Sequence, residues 1–135
     1  MTVNARISVK QMVEEANAEI ETLSAAEAVA LLAQDDVVVV DVRDVRELER
    51  EGRIPGAFHA PRGMVEFWVD PASPYFKDIF NEDKRFVFYC AASWRSALAA
   101  HAAQRIGLER ASHIDGGFKA WKEAGGPVEE YRRKA

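Results

Sequence analysis

The sequence has only one cysteine, Cys90, and three histidines among its 135 residues. A single cysteine excludes an internal disulfide and argues against a zinc site built from thiolates. The histidines do not stand at metal-ligand spacing, so the sequence predicts no metal and calls for no cofactor. No apolar stretch approaches the length of a transmembrane helix, and the N-terminus lacks the apolar core of a signal peptide. We therefore expect a cytoplasmic protein that does not enter a membrane.

An excess of positive charge is also absent, since 18 Lys and Arg stand against 22 Asp and Glu, giving a net charge of −4 at pH 7. This balance argues against nucleic acid and acidic membrane surfaces as partners. An anionic substrate must then be held by a local field. The length and the 48% hydrophobic content suit one globular domain with a substantial core.

Helix signals and apolar runs alternate along the chain. Ser8 with Gln11, and Ser24 with Glu27, fit capping boxes that predict two helices. The unbroken valine run of residues 37–40 predicts a strand buried on both faces. Further predicted elements are a short helix or turn over residues 44–51, strands over 86–89 and 112–114, and helices over 97–106 and 118–124. This alternation predicts an α/β fold with a small, mostly parallel sheet flanked by helices on both faces.

Cys90 lies between a predicted strand and a predicted helix. Such a strand-loop-helix arrangement brings backbone N–H groups and the positive end of a helix dipole near the sulfur. Both effects favour the thiolate, which is the nucleophilic form, and Arg95 adds a cation. The alternative is a core cysteine without chemistry, because free cysteine is among the most buried residue types.

The carboxyl edge of a parallel sheet is where ligands bind, and Asp41, Arg43 and Cys90 are all expected there, with the loop that follows Cys90. Asp41 and Arg43 are interpreted as structural support of the site. Asp41 would accept loop N–H groups or serve as a strand-end turn residue. Arg43 and Glu47 are expected to pair with each other or with nearby turns. Arg62 is a candidate second cation at the mouth, because a planar guanidinium suits oxyanions.

Three stretches of the sequence, taken together with their order and spacing, resemble the rhodanese-type sulfurtransferase domain. They are Asp41-Val42-Arg43 with Glu47 and residues 52–57; residues 90–96; and residues 116–121 with residues 125–128. The resemblance implies a rhodanese-like domain over residues 20–130 in a single-domain form. Residues 1–19 would be an added helix that covers the sheet edge or a partner chain, and residues 131–135 a tail. Gly116 and Gly117 are interpreted as a close backbone approach.

The resemblance also implies the chemistry of sulfur transfer. Cys90 would take a sulfane sulfur from a small anionic donor such as thiosulfate and pass it, as a persulfide, to cyanide or a thiol, including a protein thiol. The residues expected to bind the donor are Ala91, Ala92, Ser93, Trp94, Arg95 and Ser96, mainly through backbone N–H groups, with Arg95 attracting the anion. Ser96 would donate its hydroxyl to the sulfur or cap the helix. Trp94 would select a donor or a partner at the rim, or pack on the aromatic segment of residues 67–80.

Three other functions stay open from the sequence: a sulfur-carrier or regulatory module with little turnover, a phosphatase or arsenate reductase, and a silent domain. Only four residues separate Cys90 from Arg95, whereas related cysteine phosphatases have five, so the loop suits a single sulfur atom better than a phosphoryl group. Similar loops commonly carry a central glycine, which this loop lacks. Either one of its residues is left-handed at a cost, or its path differs.

Overall fold

A five-stranded parallel sheet organises the computed structural model, which describes residues 3–133. The strands are β1 (Glu21–Leu23), β2 (Val37–Asp41), β3 (Phe58–His59), β4 (Arg85–Tyr89) and β5 (Ala111–Ile114). Their order across the sheet is β1-β5-β4-β2-β3, and every neighbouring pair is parallel. The predicted α/β class is confirmed. Strands β1 and β3 were not predicted, because runs of three and two residues are too short to show a periodicity.

Six α-helices accompany the sheet within the described residues. They are α1 (Val9–Glu19), α2 (Ala25–Leu31), α3 (Val45–Glu51), α4 (Val65–Val69), α5 (Trp94–Ile106) and α6 (Gly117–Glu123), with 3₁₀ turns at Arg62–Met64 and Asp78–Asn81. Both predicted capping boxes, at Ser8 and Ser24, are confirmed. Helix α5 begins three residues earlier than predicted, because Ser93 is the last residue with a non-helical backbone. Across residues 3–133, no helix has both the length and the apolarity needed to traverse a bilayer.

The two faces of the sheet carry separate halves of the core. Along β4, Phe86 and Phe88 pack on the side of α4 and α5, whereas Val87 and Tyr89 pack on the side of α2 and α6. This alternation follows from the two-residue period of a strand. Because both faces are apolar, β4 reads as a continuous hydrophobic run, which is typical of a buried parallel strand.

Helix α1 packs against α5, on one face of the sheet. Val13 and Ala16 are buried against Ala97 of α5. At the end of α1, Glu19 accepts a hydrogen bond from His101 Nε2 at 2.8 Å. The N-terminal segment is therefore held by apolar burial at its centre and by a polar contact at its end.

A buried ion pair joins the ends of β2 and β4. Asp41 and Arg43 have fully buried side chains, and Arg43 Nη2 lies 2.7 Å from Asp41 Oδ2. The same carboxylate accepts a hydrogen bond from the Tyr89 hydroxyl at 2.5 Å, and that hydroxyl accepts one from the Ile54 N–H at 3.1 Å. Arg43 Nη2 also donates to the Gly52 carbonyl at 2.8 Å. Two strand ends and the turn after α3 are thus joined by one hydrogen-bond network around the ion pair.

For each of these residues the structure confirms one of the two alternatives: Arg43 bonds a nearby turn, and Asp41 is a strand-end turn residue. Arg43 pairs with Asp41 and the Gly52 turn, and not with Glu47. Asp41 accepts the Arg43 N–H at 2.9 Å, and no loop N–H donates to it within the described residues. Burial opposes the charge on Arg43, but the bonds to Asp41 outweigh it and raise the Arg43 pKa. Burial, followed by the Asp41 charge, raises the pKa of Tyr89.

Replacing Arg43 with leucine should destabilise the protein strongly, because Asp41 would stay buried without its counter-charge. We expect the free energy of unfolding in urea to fall by about 3–5 kcal/mol. The matched control is Arg46→Leu, which removes the exposed pair between Arg46 and Asp44 and should leave the stability close to wild type. Equal, small losses in the two variants would contradict a structural role for the buried pair.

Candidate active site

The site lies where two neighbouring parallel strands send their chains in opposite directions. From β2 the chain continues to β3 on one side of the sheet, whereas from β4 it continues to β5 on the other. At such a switch point the following loops diverge and leave a crevice at the carboxyl edge. Residues 90–96, here called the cysteine loop, run from the end of β4 into α5 at this crevice.

Cys90 lies at the start of the loop and is only 1% exposed. The two-residue period of β4 places Cys90 on the same face as Phe86 and Phe88, within the core layer under α5. Its Sγ lies 3.5 Å from Ser96 Oγ, close enough for the thiol to donate a hydrogen bond. The residue therefore combines the burial of a core cysteine with a position at the start of the predicted anion-binding loop.

The cysteine loop presents a run of unused backbone donors. Within residues 3–133, no acceptor is found for the N–H groups of residues 91–96. The side chain of Ser93, the N-cap residue of α5, does not cap the helix. Helix α5 is 13 residues long, so its unpaired N–H groups coincide with the positive end of a substantial dipole. This combination is suited to an anion.

The loop backbone rests on the start of α6. The Phe118 N–H donates to the Cys90 carbonyl at 2.8 Å, and the Lys119 N–H donates to the Ala91 carbonyl at 3.3 Å. Gly117 has φ +57°, and a Cβ atom there would lie 2.3 Å from the Ala92 carbonyl oxygen. The close backbone approach predicted for this glycine pair is confirmed at Gly117, whereas a Cβ atom at Gly116 would meet the Ala120 side chain at 2.6 Å.

Backbone strain is absent from the cysteine loop. Of the described residues, only glycines have a positive φ, and Gly116 and Gly117 are two of them. The glycine-free loop thus follows a path with no left-handed residue, and the left-handed backbone lies in the segment that supports it.

Gly117→Ala should disturb the cysteine loop, because the added methyl group meets two loop carbonyls. We expect the free energy of unfolding to fall by more than about 2 kcal/mol, beyond the cost of a left-handed alanine alone. Gly125→Ala isolates that cost, since Gly125 has φ +80° with nothing within 4 Å of the added atom. If urea unfolding gave the same loss of stability for both variants, the contact between the added methyl group and the cysteine loop would not contribute to the effect.

Arg95 is held by a bidentate ion pair. Its Nη1 and Nη2 atoms lie 2.8 and 3.1 Å from the two carboxylate oxygens of Glu47. The hydrogen bond to Glu47 raises the Arg95 pKa, and the reciprocal bond lowers the pKa of Glu47. The predicted donor-attracting cation is therefore already balanced by a carboxylate, although 41% of its side chain stays exposed.

The other predicted mouth residues lie near the same edge. The Arg62 N–H donates to the Val42 carbonyl at 3.1 Å, just past the end of β2. Its guanidinium pairs with Glu66 at 2.9 Å, one helical turn along the chain. Trp94 is 51% exposed, and no ring contact with the aromatic segment is found for it among the described residues. Packing on that segment is therefore not its role.

A cavity of about 330 Å³ borders the first half of the cysteine loop. Ala91 and Ala92 form one side and Phe118 another, and Lys119 and Lys122 contribute positive charge. The two lysines lie on α6, far from Cys90 in sequence, so the loop motif alone gave no indication of them.

Ser96 forms a hydrogen bond with His113 that the sequence did not predict. It lies inside α5, after the N-cap residue Ser93, so the capping interpretation is wrong. Its Oγ lies 3.0 Å from His113 Nδ1, and His113 Nε2 lies 2.8 Å from Asn17 Oδ1. In the sequence, His113 has no partner at metal-ligand spacing that would point to a role. No sequence signal connects it with Asn17, which is 96 residues away.

This chain is a parallel α/β domain, and its cysteine begins a donor-rich loop at the carboxyl edge of the sheet. These two features define the class of protein. The sequence model of the rhodanese-like domain matches residues 24–124. The chain therefore belongs to the rhodanese-like family, as the resemblance predicted, and its relatives support a sulfurtransferase-type function.

Three relatives illustrate this membership. The thiosulfate sulfurtransferase/rhodanese-like domain-containing protein 3 of Mus musculus is 33% identical over 97 residues, which is 68% of this chain and 62% of that protein. A Rhodopseudomonas palustris structure, described as of unknown function and a possible tyrosine phosphatase, is 57% identical with a TM-score of 0.92, covering 96% and 99% of the two chains. A human single-domain sulfurtransferase is 30% identical with a TM-score of 0.63, covering 76% and 95%. The matched segment spans 29% to 62% of the first curated relatives' lengths.

Proposed function

We propose that the protein is a sulfurtransferase that carries a sulfane sulfur as a persulfide on Cys90. The observation that carries this proposal is the position of Cys90 at the start of a loop whose N–H groups, in residues 91–96, have no acceptor within the described residues. Membership of the rhodanese-like family supports the same class of reaction. The donor is a small anion such as thiosulfate, and the acceptor is cyanide or a thiol.

The reaction proceeds by two displacements at sulfur. The Cys90 thiolate attacks the outer sulfur of thiosulfate, a new S–S bond forms, and the donor S–S bond breaks so that sulfite leaves with the electron pair. A cyanide ion or thiolate then attacks the outer sulfur of the persulfide and releases the Cys90 thiolate. No external oxidant or reductant is needed, and the kinetics are ping-pong.

The cysteine loop stabilises the negative charge in both steps. The N–H groups of Ala91 to Ser96 hold the outer sulfur and the charge that develops on it. Arg95 assists with the part of its guanidinium that Glu47 leaves exposed, and Arg62 adds a weaker attraction at the mouth. Asp41 and Arg43 act only by fixing the strand ends.

The burial of Cys90 selects for small substrates. With 1% of the residue exposed, the sulfur is reached by a slender donor more easily than by a bulky ester. The loop length, with four residues between Cys90 and Arg95, points the same way. We therefore favour sulfur transfer over the phosphatase activity suggested in the description of the Rhodopseudomonas palustris relative.

Mass spectrometry of the full chain after incubation with thiosulfate tests the persulfide. We expect the mass of one sulfur atom to be added, and to be removed again by cyanide with release of thiocyanate. Cys90→Ser should gain nothing, and the assignment is unambiguous because Cys90 is the sole cysteine.

Three results would redirect the proposal. Thiocyanate release by Cys90→Ser would exclude a persulfide on this residue. Slow reaction with thiosulfate, alongside rapid loading from a protein persulfide, would favour the sulfur-carrier module. Hydrolysis of an aryl phosphate that depends on Cys90 would favour a phosphatase.

The two arginines should differ in their effect on loading. Arg95→Gln should slow persulfide formation from thiosulfate by about tenfold, because it removes a charge-assisted donor and leaves Glu47 uncompensated beside the loop. Arg62→Gln should slow it by no more than about threefold, because its pair with Glu66 is partly solvated. Arg110→Gln, in an exposed pair with Asp36, serves as the control. Equal rates in the Arg95 and Arg110 variants would exclude Arg95 from donor binding.

A further inference from the structure

Four polar side chains form a continuous line from the cysteine to the N-terminal helix. Cys90 Sγ lies 3.5 Å from Ser96 Oγ, which lies 3.0 Å from His113 Nδ1. His113 Nε2 lies 2.8 Å from Asn17 Oδ1. Cys90, Ser96 and His113 are buried, and only Asn17 at the far end is exposed. The sulfur-transfer steps described above leave His113 and Asn17 without a role.

The line has a defined hydrogen-bond direction. A carbonyl oxygen only accepts, so His113 Nε2 carries the hydrogen that bonds Asn17 Oδ1. His113 Nδ1 is then an acceptor, and the single Ser96 hydrogen is shared between it and the Ser93 carbonyl, each 3.0 Å from Ser96 Oγ. The Ser96 oxygen in turn accepts from the Cys90 thiol. When the Ser96 hydrogen is turned to His113, every donor in the line points from the sulfur towards α1.

We propose that His113 is a positioning residue that takes the Cys90 proton through the Ser96 hydroxyl when the thiol ionises. This inference rests on the proposed role of Cys90 as the nucleophile. The S–H bond breaks while a new O–H bond forms on Ser96, and the original Ser96 O–H bond breaks while an N–H bond forms at His113 Nδ1. Two protons each move one step, the net transfer from sulfur to imidazole is one proton, and a thiolate and an imidazolium replace two neutral groups.

The ionised line keeps its hydrogen bonds. His113 Nδ1 now donates to Ser96 Oγ, and Nε2 still donates to Asn17 Oδ1. The Ser96 hydrogen turns to the thiolate, although the Ser93 carbonyl at 3.0 Å is a second acceptor for it. Because buried polar groups are costly without partners, a line that satisfies both protonation states can serve as a proton path.

The surrounding charges decide how easily the proton moves. Burial lowers the pKa of His113, and the nearby Asp115 opposes that effect. The strand neighbours of His113 are Thr22 on β1 and Phe88 on β4, both uncharged. Neither Asn17 from α1 nor Ser96 from α5 carries a charge.

On the sulfur side, Arg95 interacts with Cys90 and is itself balanced mainly by Glu47, with a smaller contribution from Asp41. Since no carboxylate contacts His113 directly within the described residues, the neutral amide of Asn17 is the contact at which a new charge would act most strongly.

The pH dependence of Cys90 alkylation by iodoacetamide, measured on the full chain, tests the relay. Asn17→Asp places a carboxylate on His113 Nε2, favours the imidazolium, and should move the midpoint of the rate profile down by about one pH unit. Asn17→Leu removes the acceptor and should move the midpoint up. Ala18→Asp is the control, because it adds the same charge to the exposed surface of α1 one residue further on, and it should leave the midpoint in place.

His113→Gln provides the second readout. Glutamine can still contact Ser96 but cannot take a proton, so the midpoint should rise as it does for Asn17→Leu. Equal shifts in Asn17→Asp and Ala18→Asp, or an unchanged midpoint in His113→Gln, would overturn the relay. If His113→Gln does not fold, the two variants at the exposed Asn17 decide alone. Their alkylation midpoints should shift in opposite directions.

Failure of this inference is distinguishable from failure of the proposed function. Alkylation needs no sulfur donor, so the midpoints report on the relay even in a protein that thiosulfate does not load. Conversely, loading by thiosulfate with unshifted midpoints would retain the sulfurtransferase and remove His113 from it.

Discussion

The buried ion pair of Asp41 and Arg43 is the contact on which the remaining geometry depends. Charges removed from water are tolerated only where each finds its partners. Asp41 receives the guanidinium, a backbone N–H and the Tyr89 hydroxyl, so one arrangement of two strand ends satisfies it. Arg43 Nη1 has no hydrogen-bond partner among the described residues, but the guanidinium carbon lies 4.4 Å from the centre of the Phe118 ring. That ring belongs to α6, so the pair also reaches the helix that supports the cysteine loop.

The chemistry of the site follows from the alternation along β4. Tyr89 points to one face and joins the ion pair, and Cys90 points to the other face and enters the layer under α5. The sulfur is thereby placed between the end of a strand and the first turn of a helix with unpaired donors. On the far side of Cys90, Ser96 and His113 carry polar contacts through an otherwise apolar layer to Asn17, so hydrogen bonds connect the N-terminal helix with the site.

The sequence predicted well what is local or strongly periodic. The valine run of β2, the apolar run of β4 and the capping boxes at Ser8 and Ser24 each indicate their own element without outside help. Partners across long separations could not be predicted. Glu47 and Arg95 are 48 residues apart, and His113 and Asn17 are 96 apart, so only the fold brings them together. Ser96 was misjudged for a local reason, since the helix starts at Trp94 and not at residue 97.

The left-handed pair Gly116 and Gly117 has a consequence for how this site can change over time. The sharp bend that shapes the cysteine loop is supplied by a separate stretch of chain, more than twenty residues downstream. Residues such as Ala92 and Trp94 are thereby released from carrying it. Mutation can exchange the side chains around the entrance, and with them the preferred small substrate or protein partner. The glycine turn beneath the loop continues to hold the sulfur in place.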